Sequence, residues 1–543
     1  MNEFVKYIVF TVLLASFPGC THDFRYFNTD QSGVTDEDLQ VDFNNLGIPL
    51  LVAQQGIYFN YDFGKGKNWP FQIMQNLSAD MFSGYMHDYK PHNGGSSNTD
   101  YNLQDGWNGT FWGYTYDYVF PQLKRAEDST RKDHPDFYGI AKILKVEAMH
   151  RVSDYYGPIV YTSFGKEQTS GLPDSQEDVY YAFFDDLDEA VRSLSDFIKE
   201  NPDVQRFSKF DILLDGRYES WLKFANSLRL RLAVRLATVD PEKAKSECIK
   251  ALSDEYGVLE APRDIVAVST RSGYLNPLGE INQVWKEAYM NASMESILTG
   301  YSDPRCELFF EPCPEDVVLK KQSGEDSVTV KLKGRYKGIR QGSGFSHTLY
   351  SSHSKLYVEQ SSDAILMTSA EVWFLRAEAA LREWTSERVS ECYRQGVVAS
   401  FSQWGALHVD KYLSQDNGAA DYVDAFDPAN NIKARCLVSP CWDETAGREV
   451  KLEKIITQKW IAMFPEGCEA WAEQRRTGYP RLFPVRINNS KDGCIDTEIM
   501  IRRINFPGSL VDQDPVLYEK LTGLLGAPDH AGTRLWWDTG RNF

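Results

Sequence analysis

The stretch from residue 452 to residue 482 constrains the fold more than any other part of the chain. Its apolar residues recur at intervals of three, four and seven, which places them on one face of a helix. They are Leu452, Ile455, Ile456, Trp460, Met463 and Phe464. Pro465 and Gly467 end this helix, because proline lacks an amide hydrogen and clashes with the preceding turn. A second short helix follows and ends at Gly478 and Pro480. The periodicity therefore predicts two helices joined by a turn, with half-buried aromatic residues.

The composition excludes several classes of function. The 543 residues suffice for a large core or several domains, and a hydrophobic content of 42% is ordinary for a globular protein. The net charge of −19 argues against nucleic-acid binding, which needs clustered lysine and arginine, and against electrostatic attachment to anionic lipid. Aromatic residues make up 13% of the chain, more than a core needs, so some rings are expected on the surface.

The N-terminus predicts export and lipid attachment. The apolar run 7–17 is too short to span a bilayer and fits a signal peptide. Gly19 before Cys20 is the arrangement of bacterial lipoprotein signals, in which the cysteine is acylated. We therefore predict a signal peptide over 1–19, followed by a lipid anchor and acidic tether over 20–42. The alternative is a simple cleaved signal with an accidental cysteine.

Helix start and stop signals recur through the rest of the chain. Ser175 and Asp240 are typical N-cap residues, and Thr368 opens a capping box. The predicted helices cover 111–125, 140–152, 174–200, 221–236, 240–252, 368–384 and 387–401. In the sixth of these helices the periodicity predicts that Trp373 lies on the buried face.

Two long segments differ from these helices. Residues 58–108 and 256–366 are rich in glycine, serine and proline, and the second contains a strand-like pair near 327–332. Loops this long are usually functional or disordered, and a disordered loop would not carry so many rings. These segments are therefore expected to carry the function.

Several sequence motifs resemble one family. They are TQKWIAMFPEGCEAWAEQRRTGYPRL at 457–482, RRINFPGS at 502–509, LWWD at 535–538, WLKFANSLRLR at 221–231 and DYYGPIVY at 154–161. Together they resemble the SusD/RagB family of nutrient-binding outer-membrane lipoproteins. Val160 stands where the family usually has proline, so the turn at that position is less well specified.

The resemblance implies a fold and a function. The fold is a mostly α, tetratricopeptide-like α–α superhelix with a long irregular, loop-rich face, forming one domain over 43–543. The helix pairs at 221–252 and 368–401 fit degenerate repeats of this kind. The implied function is the capture of oligosaccharide at the cell surface and its delivery to a SusC-like TonB-dependent transporter. The protein would be held in the outer membrane by lipidated Cys20 and face the cell exterior.

The resemblance also places the ligand on loops from the N-terminal part and from the middle insertion. Sugar rings stack on tryptophan and tyrosine, and side-chain amides reach the hydroxyl groups. The candidate ligand-binding residues are Trp69, Tyr85, Tyr89, Asn98, Tyr101, Tyr274 and Trp285, with Tyr350 as a further ring. Trp107 lies between glycines in a turn and is expected to face the core instead.

No catalytic pattern stands out. The chain has no nucleophile elbow, phosphate loop or zinc-protease motif, so we predict a protein that is not an enzyme and needs no cofactor or metal. His87 and His92 share a loop, which is a weak metal signal. Asp185 and Asp186 are expected on a solvated helix face rather than as a glycosidase pair. Two alternatives remain: a peptide-capturing member of the same family, and a surface glycoside hydrolase.

Two features have competing interpretations. The arginine pairs 475–476 and 502–503 could bind a carboxylate or phosphate, but they are expected to tie C-terminal loops to acidic helices. The close cysteine pairs 306/313 and 436/441 could form disulfides in an exported protein, whereas unpaired thiols fit the scattered spacing better.

Overall fold

The computed structural model describes residues 41–58, 69–88, 97–166, 171–319, 327–343 and 347–543. The chain divides into two compact units, 1–45 and 46–543. The described part of the first unit contains the 3₁₀ turn Val41–Phe43. The predicted signal peptide and Cys20 lie outside the described residues.

Helices make up most of the described chain. They are α1 (Asn44–Ile57), α2 (Trp69–Phe71), α3 (Ala79–Phe82), α4 (Asp105–Asn108), α5 (Thr110–Tyr114), α6 (Phe120–Thr130), α7 (Pro135–Tyr156), α8 (Gln176–Glu200), α9 (Tyr218–Arg235), α10 (Pro241–Ser253), α11 (Pro277–Glu280), α12 (Ala292–Gly300), α13 (Cys306–Phe309), α14 (His347–Tyr350), α15 (Ser369–Leu381), α16 (Val389–Trp404), α17 (Val409–Leu413), α18 (Arg448–Met463), α19 (Gly467–Thr477), α20 (Gly508–Gln513) and α21 (Pro515–Leu525). Three π-helical turns interrupt or extend them, at Gln72–Asn76, Thr115–Val119 and Ile281–Trp285.

The helix starts follow the predicted caps. The side chains of Ser175, Asp240 and Thr368 each accept a hydrogen bond from the amide three residues on, at 3.1, 3.1 and 3.3 Å. Each bond satisfies one of the amide groups that the first helical turn leaves without a partner. The sequence signals for α8, α10 and α15 are therefore confirmed.

Neighbouring long helices run antiparallel. Near the end of α7, the Ser153 carbonyl accepts from Gln176 at the start of α8, at 2.9 Å. Earlier in α7, Lys142 pairs with Asp186, further along α8, at 2.6 Å. Helices α9 and α10 form a second pair and α15 and α16 a third. This mostly α, repeat-like arrangement is the predicted fold class.

Helices α18 and α19 are buried on all sides, since every residue from Leu452 to Met463 and from Gly467 to Thr477 is buried, whereas the sequence predicted one buried face with half-buried aromatic residues. Trp460 and Trp471, one on each helix, are almost fully buried. The paired arginines nearby are structural: Arg475 donates to the Asp154 carbonyl at 2.6 Å, and Arg476 donates to Glu378 at 2.8 Å. Arg475 and Arg476 therefore bind other segments of the protein, as expected, but from a helix rather than from a C-terminal loop. Arg503, which does lie outside the helices, donates to the carbonyl of Tyr156 at the end of α7 at 2.9 Å.

The buried face of α15 differs from the prediction. Phe374, not Trp373, is fully buried, and its ring lies against Gly396 of α16. Trp373 is half-buried; its indole nitrogen donates to the Glu260 carbonyl at 3.0 Å, and the Arg376 guanidinium lies 3.8 Å from its ring centre. The prediction that Trp373 is a core residue is therefore wrong, because the helix turns its neighbour towards α16.

The strands form three two-stranded antiparallel sheets. They are β1 (Met86–His87) with β3 (Tyr289–Met290), β2 (Ile265–Val268) with β6 (Ala364–Thr368), and β4 (Val317–Leu319) with β5 (Val328–Val330). All three join segments that belong to the loop-rich part of the sequence. The irregular face is therefore organised by short sheets.

The described residues contain no helix that combines the length and the apolar character needed to cross a bilayer. The eight cysteines that follow Cys20 are all free thiols, so neither of the possible disulfides at 306/313 and 436/441 forms.

Candidate functional site

The N-terminal loops and the middle insertion meet in the structure. Strand β1 pairs with β3 so that Met86 faces Met290 and His87 faces Tyr289. A side-chain bond strengthens this junction close in sequence to Trp69 and Trp285: Gln72 Nε2 donates to Glu287 Oε2 at 2.6 Å. The two segments that were expected to hold ligand together are therefore neighbours.

Trp69 begins a row of surface rings. Its side chain is 44% exposed, and its ring makes an edge-to-face contact with Tyr114, with 5.8 Å between ring centres. Tyr114 in turn lies 5.2 Å from Tyr118, which is 37% exposed. The two tyrosines are four positions apart, so a helical backbone places them on one side. The row presents three adjoining aromatic rings at the surface.

Trp285 is the ring that the middle insertion contributes. It is half-buried and ends the π-helical turn Ile281–Trp285, after which Lys286 takes a left-handed conformation with φ of 58°. Asn282 fixes this turn by donating to the carbonyls of Leu356 and Val358 at 2.7 and 3.0 Å. Among the described residues, no hydrogen bond or ring contact occupies the Trp285 side chain. It is therefore held in place by its backbone with its ring available.

We call Trp69, Tyr114, Tyr118 and Trp285 the aromatic face; the first three are in ring contact, and the β1–β3 junction joins the segment of Trp285 to that of Trp69. A π-helical turn contributes Tyr118 and another contributes Trp285, and such turns are frequent at functional sites. Part-exposed rings on a fixed backbone can stack on a flat apolar ligand surface with little loss of conformational freedom. The aromatic face is thus suited to binding rather than to chemistry.

Four rings that were considered for ligand binding are buried instead. Tyr85 is inaccessible; its hydroxyl donates to the Trp460 carbonyl, and its ring lies 5.1 Å from the Trp460 ring. Tyr274 is likewise inaccessible, and Tyr101 is 1% exposed. Tyr350, also 1% exposed, donates its hydroxyl to Asp424 at 2.8 Å. These four rings belong to the core. Of the predicted rings that lie in the described residues, Trp69 and Trp285 are part-exposed.

The remaining predicted positions are structural or lie outside the described chain. Asn98 is 4% exposed, and its amide donates to the Leu77 carbonyl at 2.6 Å, which orders the loop rather than a ligand. Trp107 is half-buried, as a residue at the edge of the core would be. Tyr89, His92 and Cys20 are not among the described residues.

Two histidines of the loop-rich segments are buried. Burial lowers the pKa of His87 to about 4 and that of His353 to about 3, so both are neutral at pH 7. In the described ranges, no group of three or more histidine, cysteine, aspartate or glutamate residues is arranged to hold a metal ion.

The acidic pair on α8 is not a solvated face, contrary to the prediction. Asp185 is exposed, but Asp186 is buried and lies 2.6 Å from Lys142 and 2.8 Å from Lys145. Burial alone would raise the pKa of Asp186, whereas the two ammonium groups lower it, so the carboxylate is ionised and paired. A carboxylate in this state is a structural ion rather than a general acid.

Sequence reasoning did not select Tyr114 and Tyr118. The signal was present, because the two residues stand four apart in an aromatic-rich helix directly after a loop segment. Tyr118 lies in the π-helical turn Thr115–Val119, which no sequence pattern indicates.

The comparisons with known proteins point to one group. The model of the SusD-like family, described as SusD and RagB outer membrane lipoproteins, matches residues 26–538. A SusD homolog from Bacteroides vulgatus is 44% identical, with 93% of this chain and 100% of that chain covered and a TM-score of 0.85. A chitin-binding SusD homolog from Flavobacterium johnsoniae is 39% identical over 92% of this chain and 99% of its own, with a TM-score of 0.84. A comparison with curated proteins gives no match.

Proposed function

The chain belongs to the SusD/RagB family of outer-membrane lipoproteins, and from that membership we propose that it captures oligosaccharide outside the cell. In this proposal the glycan lies on the aromatic face and is then handed to a SusC-like TonB-dependent transporter. The protein binds its ligand without cleaving it, and lipidated Cys20 holds it to the membrane.

One observation carries the proposal. Two part-exposed tryptophans, Trp69 and Trp285, stand on segments that β1, β3 and the bond between Gln72 and Glu287 hold together. Sugar rings present flat faces of C–H groups, and an indole covers such a face well. The relative from Flavobacterium johnsoniae that binds chitin supports glycan as the ligand class.

A binding screen tests the proposal. The membrane-anchored protein, purified in mild detergent, is applied to an array of neutral and acidic oligosaccharides and, in parallel, to a mixture of peptides. We expect retention of one glycan class and release of that glycan unchanged after overnight incubation. Binding of peptides but of no glycan would overturn the proposal in favour of peptide capture, and shortened glycans would overturn it in favour of hydrolysis.

A further inference from the structure

A groove lies on the outer face of the β2–β6 sheet, built from residues that take no part in the aromatic face. Its floor is formed by Ile265, Ala267 and Ile365, the side chains that alternate with the buried ones along the two strands. Tyr357 and Trp404 stand among its walls, and its volume is about 400 Å³. Pockets that hold small molecules span roughly 300–1,000 Å³, so the groove is large enough for one.

The groove carries cations that the protein leaves unpaired. Arg217, Arg263 and Arg271 line it, against Asp215 and Asp363. Arg271 pairs with Asp215 at 3.2 Å. In the described chain neither Arg217 nor Arg263 has a carboxylate partner. Two uncompensated guanidinium groups in a protein of net charge −19 mark a local site for an anion.

The buried polar atoms of the groove that lack partners are also donors. Trp404 Nε1 and Gln403 Nε2, both on groove residues, are buried and make no hydrogen bond within the described ranges. Asp363, by contrast, already accepts from the Thr270 amide at 2.9 Å. Tyr357 adds a ring that is 58% exposed. The groove therefore combines two arginines without carboxylate partners, two buried donors without acceptors, an apolar floor and an aromatic wall.

We propose that this groove is a second binding site, for an anionic saccharide such as a uronic acid oligomer. The carboxylate lies between Arg217 and Arg263, where guanidinium groups bind it with charge-assisted hydrogen bonds. The sugar ring lies against Tyr357 and the floor of the sheet. The site goes beyond the proposed capture of glycan on the aromatic face, because the two share no residue.

The donor-rich chemistry favours a saccharide over an acidic peptide. A backbone amide N–H can only donate, so a peptide would bring donors towards Arg217, Arg263 and the buried donors of Trp404 and Gln403, none of which can accept them. A sugar hydroxyl can rotate to accept instead, and a carboxylate accepts only. An acidic peptide is therefore the competing occupant that the experiment has to separate.

Calorimetric titration of the detergent-purified protein with trigalacturonate tests the site. We expect binding that weakens as salt is raised, because exposed charges are screened. Arg217→Ala and Arg263→Ala should each weaken it roughly tenfold or more, since each removes a charge-assisted bond. Arg394→Ala is the matched control: it removes a half-exposed arginine of α16 that pairs with Asp410, and it should leave the affinity unchanged.

Several outcomes would overturn the assignment. They are no binding of trigalacturonate, equal binding of its methyl-esterified form, or full affinity in the doubly substituted protein with an unchanged melting temperature. Tighter binding of a glutamate heptapeptide than of trigalacturonate would assign the groove to peptide. The experiment also separates the groove proposal from the proposed function of the aromatic face. The double variant Trp69→Ala with Trp285→Ala should bind trigalacturonate normally but should bind the glycan of the aromatic face more weakly.

Discussion

Arg231 of α9 and Glu371 of α15 form a bidentate ion pair in the core. The two nitrogen–oxygen distances are both 2.8 Å, and each side chain is 2% exposed. Arg231 also donates to the Leu366 carbonyl in β6 at 2.9 Å. This ion pair joins α9 to α15, which belong to different helix pairs. Through Arg231 it also links both helices to the β2–β6 sheet beneath the groove.

Arg231→Ala should destabilise the protein by about 3–5 kcal/mol, because it leaves the Glu371 carboxylate buried without its partner. Thermal or denaturant unfolding measures the loss. Arg394→Ala, which breaks an exposed pair with Asp410, should cost less than about 1 kcal/mol. Equal melting temperatures for the two variants would show that the buried pair contributes no more than a surface pair.

Trp69→Ala and Trp285→Ala should each weaken glycan binding about five- to tenfold. An indole that covers one sugar face removes roughly 50 Å² of apolar area from water, worth on the order of 1 kcal/mol. Neither change should move the melting temperature much, because both side chains are part-exposed. Trp373→Ala replaces a half-buried tryptophan of the helical repeats and should leave binding unchanged. Wild-type affinity in both test variants would mean that the aromatic face is not the platform.

Tyr101→Ala should behave in the opposite way to Trp69→Ala. Its side chain is 1% exposed, so truncation leaves a cavity and should lower the free energy of unfolding by about 3–5 kcal/mol. Binding by the protein that remains folded should be near normal. A variant that melts like wild type but loses its glycan would return Tyr101 to the ligand site.

Stability should fall in acid partly through Glu473. Burial alone would raise its pKa, but Arg476 at 2.8 Å and Lys459 at 3.2 Å hold the pKa well below its usual range. A carboxyl with a depressed pKa stabilises the fold above its unfolded value of about 4.3, and that contribution is lost as the pH falls further.

Glu473→Gln should therefore melt below wild type at pH 7, and the difference should shrink as the pH is lowered from 5 towards 3. Melting curves at each pH measure it. Glu498→Gln, which alters an exposed partner of Arg435, serves as the control and should follow the wild-type curve throughout. A difference that stays constant with pH would show that Glu473 is not the group that titrates.

Cys20→Ala should release the protein from the membrane. Each buried methylene of an acyl chain adds about 0.8 kcal/mol of membrane affinity, so a multiply acylated cysteine anchors the protein stably in the membrane. Without this cysteine the protein loses its acyl chains and therefore its anchor. Partitioning into a detergent phase measures the change. A variant that partitions like wild type would rule out lipidation at this residue.

The helical part of the fold was predictable because its signals are local. The caps at Ser175, Asp240 and Thr368 lie next to the turns that they stabilise, and the break at Pro465 acts within one turn. Ring burial is not local. Tyr85 is buried because Trp460, from the other end of the chain, lies against it, and nothing near Tyr85 indicates that contact. Trp373 and Phe374 are a second example, because they are adjacent in the sequence and only the tertiary packing determines that Phe374 contacts α16.

The pairing of β1 with β3 has a consequence for the order of folding. Met86 pairs with Met290, which is far away in the sequence, so this contact closes a long loop of chain. Contacts of this kind form slowly compared with those between neighbouring helices. Helices α7 to α10 lie within that loop and can form first. The two tryptophans come together only when the loop closes, so we expect an incompletely folded chain to have its repeats but no affinity for ligand.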